Sequence, residues 1–142
     1  MPRTYDIEAP IARALDLLGE RWTLLIIRQL LSGDQRFGEL YGALYGISSN
    51  LLSMRLRTLM EADIIERVRL NGGGRYYRLT PRGEALAPIV WSLNAWAQTY
   101  LDKTTPNLPR HDRCQQPLTL EWYCENCRRY VEDTELDFPP SL

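Results

Sequence analysis

The amino-acid sequence predicts a mainly α fold with a small β wing, an α+β arrangement, and three observations carry that expectation. The stretch GISSNLLSMRLRTLMEADII sets Leu52, Leu56 and Leu59 at the i, i+4 and i+7 positions of one helical stripe. A short helical segment and a turn containing Gly46 come just before it. Two strand-like runs, 64–70 and 75–79, come after it, joined by the flexible turn 71–74. Helix, turn, helix and ribbon in that order make a winged helix-turn-helix.

Each element has a local justification. Residues 10–18 suit a first helix, with Pro10 tolerated in the opening turn and Gly19 able to close it in the left-handed conformation. RWTLLIIRQLL is apolar nearly all round, through Trp22, Leu24, Leu25, Ile26, Ile27, Leu30 and Leu31, so this second helix is expected at the centre of the fold. Ser32-Gly33-Asp34 then breaks it. QRF is a candidate short strand, GELYGALY a short helix, and Gly46 a residue free to take positive φ. Ser48 is placed to cap the helix of the leucine stripe. Thr80-Pro81 opens a last long helix, with Thr80 as N-cap, Pro81 at the first helical position and Glu84 in the first turn. Along it Leu86, Ile89, Val90, Leu93, Trp96, Ala97, Tyr100 and Leu101 form an apolar stripe wider than a small core covers, which points to a homodimer.

The face opposite the leucines is the candidate functional surface. At about 100° per residue, Asn50, Met54 and Arg57 project away from the stripe and Ser53 lies at its edge. Short polar and cationic side chains of this kind read base edges and phosphates, so Asn50, Ser53, Met54 and Arg57 are assigned to the major groove of double-stranded DNA, and Ser49 is counted among the DNA-binding residues. Arg75 in the wing is assigned to the backbone or minor groove, and Arg36 to a phosphate. Arg55 lies nearer the buried stripe, which suits a structural role or a peripheral phosphate contact.

Composition sets the frame for that reading. A chain of 142 residues with 44% hydrophobic content can bury one respectable core, and the expected organisation is a main domain, 1–104, with an appended tail, 105–142. No apolar run approaches the ~20 residues that cross a bilayer, and the start MPRTYDIEAP lacks the apolar centre of a secretory signal, so no membrane partner and a cytoplasmic location are expected. The net charge of -1 hides an asymmetry. Between Ser48 and Arg82 the seven arginines 55, 57, 67, 69, 75, 78 and 82 face only Glu61, Asp63 and Glu66, a local balance of +4. From Glu121 onward six acids face Arg128 and Arg129, a balance of -4.

Between IARALDLLGERWTLLIIRQLLSGDQRFGELYGALYGISSNLLSMRLRTLMEADIIER and RYYRLTPRGEAL the sequence closely resembles the HxlR family of bacterial winged-helix transcription regulators, over roughly residues 9–101. The specific pieces are LLGERWTLLI, the RFGEL entry, the GIS turn, the L-x-x-R-L-R-x-L helix and the YRLTPRG junction. The resemblance implies a dimeric DNA-binding regulator whose N-terminal and C-terminal helices pair the subunits; the apolar stripe of the last helix then puts Trp91 or Trp96 near the shared surface, and two-fold symmetry matches palindromic operator DNA. One position departs from the family pattern. Many members carry a cysteine directly before the proline of the first helix, and in some its thiolate senses oxidants, quinones or aldehydes; here that place is Ala9, which has no nucleophile. The effector, if there is one, is left open.

After Lys103 a proline-containing linker leads into HDRCQQPLTLEWYCENCRRYVEDTELDFPP. His111 and Cys114 stand two residues apart, as do Cys124 and Cys127, with strand-like LTLEWY between the pairs. That spacing suits a structural zinc ion in a Cys3His ribbon, one pair of ligands per turn. Asp112 or water could replace His111, and a metal-free tail or redox use of the CxxC are the alternatives. Catalysis is not expected: the CxxC lies in an acidic tail outside any βαβ pattern, and there is no GxGxxG, P-loop or Ser/His/Asp set. A protein-interaction adaptor that keeps the winged-helix shell without binding DNA is the competing reading.

Overall fold

Pro10 opens the first helix, α1 (Pro10–Leu18), after Ala9 in extended conformation. Gly19 follows in right-handed geometry, φ -76°, rather than the left-handed form expected from the sequence. Glycine is needed there for a different reason, because a Cβ would lie 2.5 Å from the Leu15 carbonyl oxygen. The left-handed residue is Trp22, φ 81°, which turns the chain into α2 (Thr23–Leu30). In α2 Ile26, Ile27 and Leu30 are buried and Leu24 is half-buried, but Leu25 is exposed, so the helix is less enclosed than its composition suggests.

The next elements follow the local signals closely. Helix α3 (Phe37–Ala43) starts where the Arg36 N–H donates to the Glu39 carboxylate at 2.6 Å. Gly46 takes φ 95°, and the Ser48 hydroxyl accepts the Leu51 N–H at 3.2 Å to cap α4 (Ser49–Glu61). Leu52, Leu56 and Leu59 are fully buried and share one core with Ile26, Ile27, Leu40, Ile64 and Ile65. Strands β1 (Ile65–Arg69) and β2 (Arg75–Leu79) pair antiparallel, from Ile65 opposite Leu79 to Arg69 opposite Arg75. Of QRF only Gln35 joins this ribbon, exchanging backbone hydrogen bonds with Tyr77 at 3.1 and 2.8 Å.

Thr80 ties three elements together. Its buried hydroxyl accepts the Gly83 N–H at 3.2 Å and donates to the Asp63 carbonyl at 2.6 Å, while its own N–H donates to the Ile64 carbonyl at 3.0 Å. The helix it caps is shorter than expected: α5 (Pro81–Glu84) is a single turn, and α6 (Ala87–Tyr100) begins after a break. Pro88 accounts for the break, since it has no N–H to give the Glu84 carbonyl and its ring crowds that group.

The structure, a computed structural model, describes residues 4–139. Two units are distinguished, Met1–Val90 and Trp91–Leu142, and the division falls inside α6, upstream of the composition change at 104. In the second unit Gln98 gathers the segment that follows the helix: its carbonyl accepts the Thr104 N–H and its side chain the Asn107 N–H, both at 2.8 Å. Farther on, β3 (Trp122–Cys124) and β4 (Arg129–Val131) form a short antiparallel hairpin, followed by a 3-10 turn, Asp133–Glu135. Of the strand-like LTLEWY only Trp122 and Tyr123 are in the hairpin. No helix among the described residues is long and apolar enough to cross a membrane.

Among the described glycines of the first unit the tightest surroundings are at Gly83, where a Cβ would fall 2.1 Å from the Ile64 carbonyl oxygen and 2.9 Å from Leu79. Gly83→Ala is therefore expected to destabilise the fold by about 1–3 kcal/mol or more through forced backbone displacement. A lowered urea midpoint with an unchanged slope is the expected reading; an unchanged midpoint would mean that this junction is loosely packed.

Candidate nucleic-acid interface

Burial of Leu52, Leu56 and Leu59 fixes the rotation of α4 about its axis and leaves Ser49, Asn50, Ser53, Met54 and Arg57 exposed. Among the described residues the side chains of Ser49, Asn50, Ser53 and Arg57 form no hydrogen bond or ion pair within the protein. Arg55, two positions before Arg57, is different. Its guanidinium donates to the Arg21 carbonyl at 3.0 Å and pairs with Glu20 at 2.9 Å, tying α4 to the turn between α1 and α2. One helix thus carries an arginine committed to the fold and another facing solvent.

The turn ahead of α4 adds a residue that sequence reasoning missed. Tyr45 is 96% exposed, an unprotected aromatic ring immediately before the helix N-terminus. The available signal was its place between Leu44, which is buried, and Gly46, whose positive φ turns the chain outward.

The wing is fastened by three consecutive residue pairs. Arg78 grips Asp34 through Nε at 3.0 and 3.1 Å and through Nη2 at 2.6 Å. Gln35 pairs with Tyr77 through the backbone, and the Arg36 guanidinium lies over the Tyr76 ring, 4.9 Å from its centroid. Arg36 is therefore docked on the wing while remaining exposed at the surface. Beyond this fastening, at the hairpin tip, Arg69 stands directly opposite Arg75. Two like charges at opposed positions disfavour the hairpin, and among the described residues neither has a carboxylate partner. Arg69 escaped the sequence reading because its relation to Arg75 depends on the register of the turn. Ala9 is half-buried before α1 and has no thiol.

The four candidate metal ligands lie in the second unit as two pairs. His111 Nδ1 is 3.1 Å from Cys114 Sγ, and Cys124 Sγ accepts the Cys127 N–H at 3.4 Å. That N–H, the Cys127 thiol and the Asn126 N–H hold the Cys124 thiol below its ordinary pKa. Among the described residues no three His, Cys, Asp or Glu side chains converge on a common point.

A family described as HxlR-like helix-turn-helix matches residues 17–105. The chain is similar to the HTH-type transcriptional regulator Rv3095 of Mycobacterium tuberculosis strain H37Rv, 38% identical over 121 residues, covering 82% of this chain and 76% of that protein. It is also similar to the crystal structure of PA1607, with a TM-score of 0.77 and 28% identity over 96% of this chain and 97% of that one. The reduced form of the transcriptional regulator YodB from Bacillus subtilis gives a TM-score of 0.58 and 34% identity over 68% of this chain and 98% of that one.

The Asp34–Arg78 grip has a pH signature. The charged hydrogen bond from Arg78 holds the Asp34 carboxyl below the usual aspartate value, and the same bond raises the Arg78 pKa. Its stabilisation is present above the unfolded aspartate pKa of about 3.9 and is lost as pH falls through the lower folded value. Asp34→Asn should therefore cost up to about 1 kcal/mol at neutral pH, a small amount because the pair is partly solvated. Denaturation of both proteins at pH 7 and near pH 2 should show the gap closing in acid; a gap that persists there would assign the effect to packing.

Proposed function

The chain belongs to the HxlR-like helix-turn-helix family, and on that premise we propose that it is a sequence-specific DNA-binding transcriptional regulator acting as a homodimer on palindromic duplex operators. The observation that carries the reading is the sorting of side chains on α4. Its apolar face and Arg55 are consumed by the fold, whereas Ser49, Asn50, Ser53, Met54 and Arg57 are left outward at helical spacing. In this reading those five face the major groove, where Arg57 has the reach for a bidentate contact to guanine. Arg69 and Arg75 approach the backbone or minor groove together, Arg36 meets a phosphate from its seat on Tyr76, and Tyr45 donates its hydroxyl to the backbone beside the helix start.

The homodimer has separate support. On α6, Ile89, Leu93, Trp96 and Tyr100 are 53%, 52%, 52% and 66% exposed, an apolar stripe along one face of a single helix. Helix α1 likewise exposes Ile11 and Leu15. Faces of this kind are stable in water when a second copy covers them, and an isologous pairing matches the two-fold symmetry of a palindromic site. Trp91 is half-buried, so Trp96 is the better candidate for the shared surface. A bacterial regulator of this kind works in the cytoplasm, where its operators lie.

Binding of labelled duplexes from the protein's own upstream region tests the reading. Arg57→Ala is expected to cost about 1–3 kcal/mol and to relax discrimination at one base pair. Joint replacement of Arg69 and Arg75 by Ala should weaken all sequences alike and reduce the slope of log affinity against log salt by roughly two. Unchanged binding in both variants would remove α4 and the wing from the interface and favour an adaptor.

Assembly is tested apart from DNA. Leu93→Glu would bury a carboxylate without a partner between paired helices, so light scattering should find monomers that hold a half-site weakly. A variant that still runs as a dimer would place the shared surface elsewhere.

A further inference from the structure

The tail contains a repeated construction that DNA binding does not use. In one turn the His111 carbonyl accepts the Gln115 N–H at 2.8 Å and Gln115 takes φ 59°; in the other the Cys124 carbonyl accepts the Arg128 N–H at 2.8 Å and Arg128 takes φ 53°. The same offset of 13 residues separates His111 from Cys124 and Cys114 from Cys127. Each turn is closed by antiparallel backbone pairing, Arg110 with Pro117 in the first and Cys124 with Arg129 in the second. In the first turn the imidazole of His111 meets the Cys114 thiol, and in the second the Cys127 N–H donates to the Cys124 sulfur. Left-handed geometry is unfavourable for residues with a Cβ, yet it recurs at the same step of both turns.

Burial does not explain this order. From Arg110 to Pro139 only Cys124, Val131 and Leu136 are even half-buried, so the segment has no apolar core of its own. The donor set is three thiols and one imidazole, the nitrogen and sulfur combination that selects zinc over the oxygen-seeking calcium and magnesium ions. The His111–Cys114 separation of 3.1 Å is a hydrogen-bond contact, and it would have to open to the roughly 3.6 Å edge of a tetrahedron built from ordinary Zn–S and Zn–N lengths to admit the ion.

We propose that a single zinc ion joins the two turns of one chain, bound by His111, Cys114, Cys124 and Cys127 in a closed structural site. The two halves are preformed, and the segment between them can bring them together. Thr119, Leu120 and Glu121 are exposed and form no backbone hydrogen bond among the described residues. Zinc enters as the divalent ion, the three thiols release their protons to solvent, and neutral His111 binds through the nitrogen that already faces Cys114. Asp112 lies on the side of the other ring nitrogen, its Oδ1 3.6 Å from Nε2, from where a small closure would let it accept the Nε2–H as an outer partner rather than serve as the fourth ligand. With four protein ligands no coordination position is left for water, so the role is structural.

Titration of the reduced, metal-free full-length chain with cobalt(II), followed by displacement with zinc(II), tests the site. One equivalent per chain is expected, with the visible absorption of tetrahedral cobalt–thiolate coordination, loss of that absorption on adding zinc, and protection of all three thiols from alkylation. Asp112→Ala should weaken binding about tenfold with the spectrum unchanged, whereas His111→Ala should change the spectrum as well as the affinity. Helical content, followed by circular dichroism, separates loss of metal from failure to fold. Freely reacting thiols with no tetrahedral spectrum, or half an equivalent shared between two chains, would overturn the site. Full affinity and an unchanged spectrum in His111→Ala would overturn the Cys3His assignment.

Discussion

Burial of the Leu52, Leu56 and Leu59 stripe is the constraint on which the rest of the first unit depends. Each of these side chains is worth about 2–5 kcal/mol against alanine, whereas a solvated surface ion pair is worth about 1 kcal/mol or less. Apolar packing therefore decides how α4 is rotated, and the polar side chains take the directions left to them. Arg55 falls at the margin of the buried face and is captured by Glu20 and the Arg21 carbonyl. Arg57, two residues on, falls outside it. The chemistry of the exposed face is thus a by-product of where the leucines must go.

The same division separates what was legible in the sequence from what was not. Signals complete within a few residues are found in the structure: the Ser48 and Thr80 caps, the positive φ of Gly46, and the antiparallel pairing of 65–69 with 75–79. Outcomes that depend on close contacts or on which side of a helix is packed were less accessible. Gly19 reads as a left-handed cap, but the contact that demands glycine is with the Leu15 carbonyl, and the left-handed residue is Trp22, which no local rule favours. Leu25 looks like core because its neighbours are core, yet a helix packed on one side leaves such a residue outside. The break between α5 and α6 was legible and was passed over, since Pro88 announces it.

The candidate interface shows a similar pattern. The outward residues of α4 follow from periodicity alone, while the roles of the wing arginines follow from register and from long-range partners. Composition makes 67, 69, 75 and 78 look alike. In the structure Arg78 grips Asp34, Arg67 lies over the Tyr77 ring, and Arg69 and Arg75 face one another. For the tail, the ligand spacing was legible, but the matching backbone geometry of the two turns emerges only from their hydrogen bonds and φ values.

In the proposed DNA-binding role, the Arg69–Arg75 pair would make ionic strength act on the free and bound states in opposite directions. In free protein the two guanidinium groups repel across the hairpin tip, and salt that shortens the Debye length to about 10 Å or less relieves them. On a polyanion the same groups displace condensed counterions, and added salt then opposes binding. The hairpin tip is accordingly least comfortable in the dilute conditions where, under that proposal, a duplex would attract it most. Part of the free energy of that proposed association would be relief of a repulsion already present in the unbound wing.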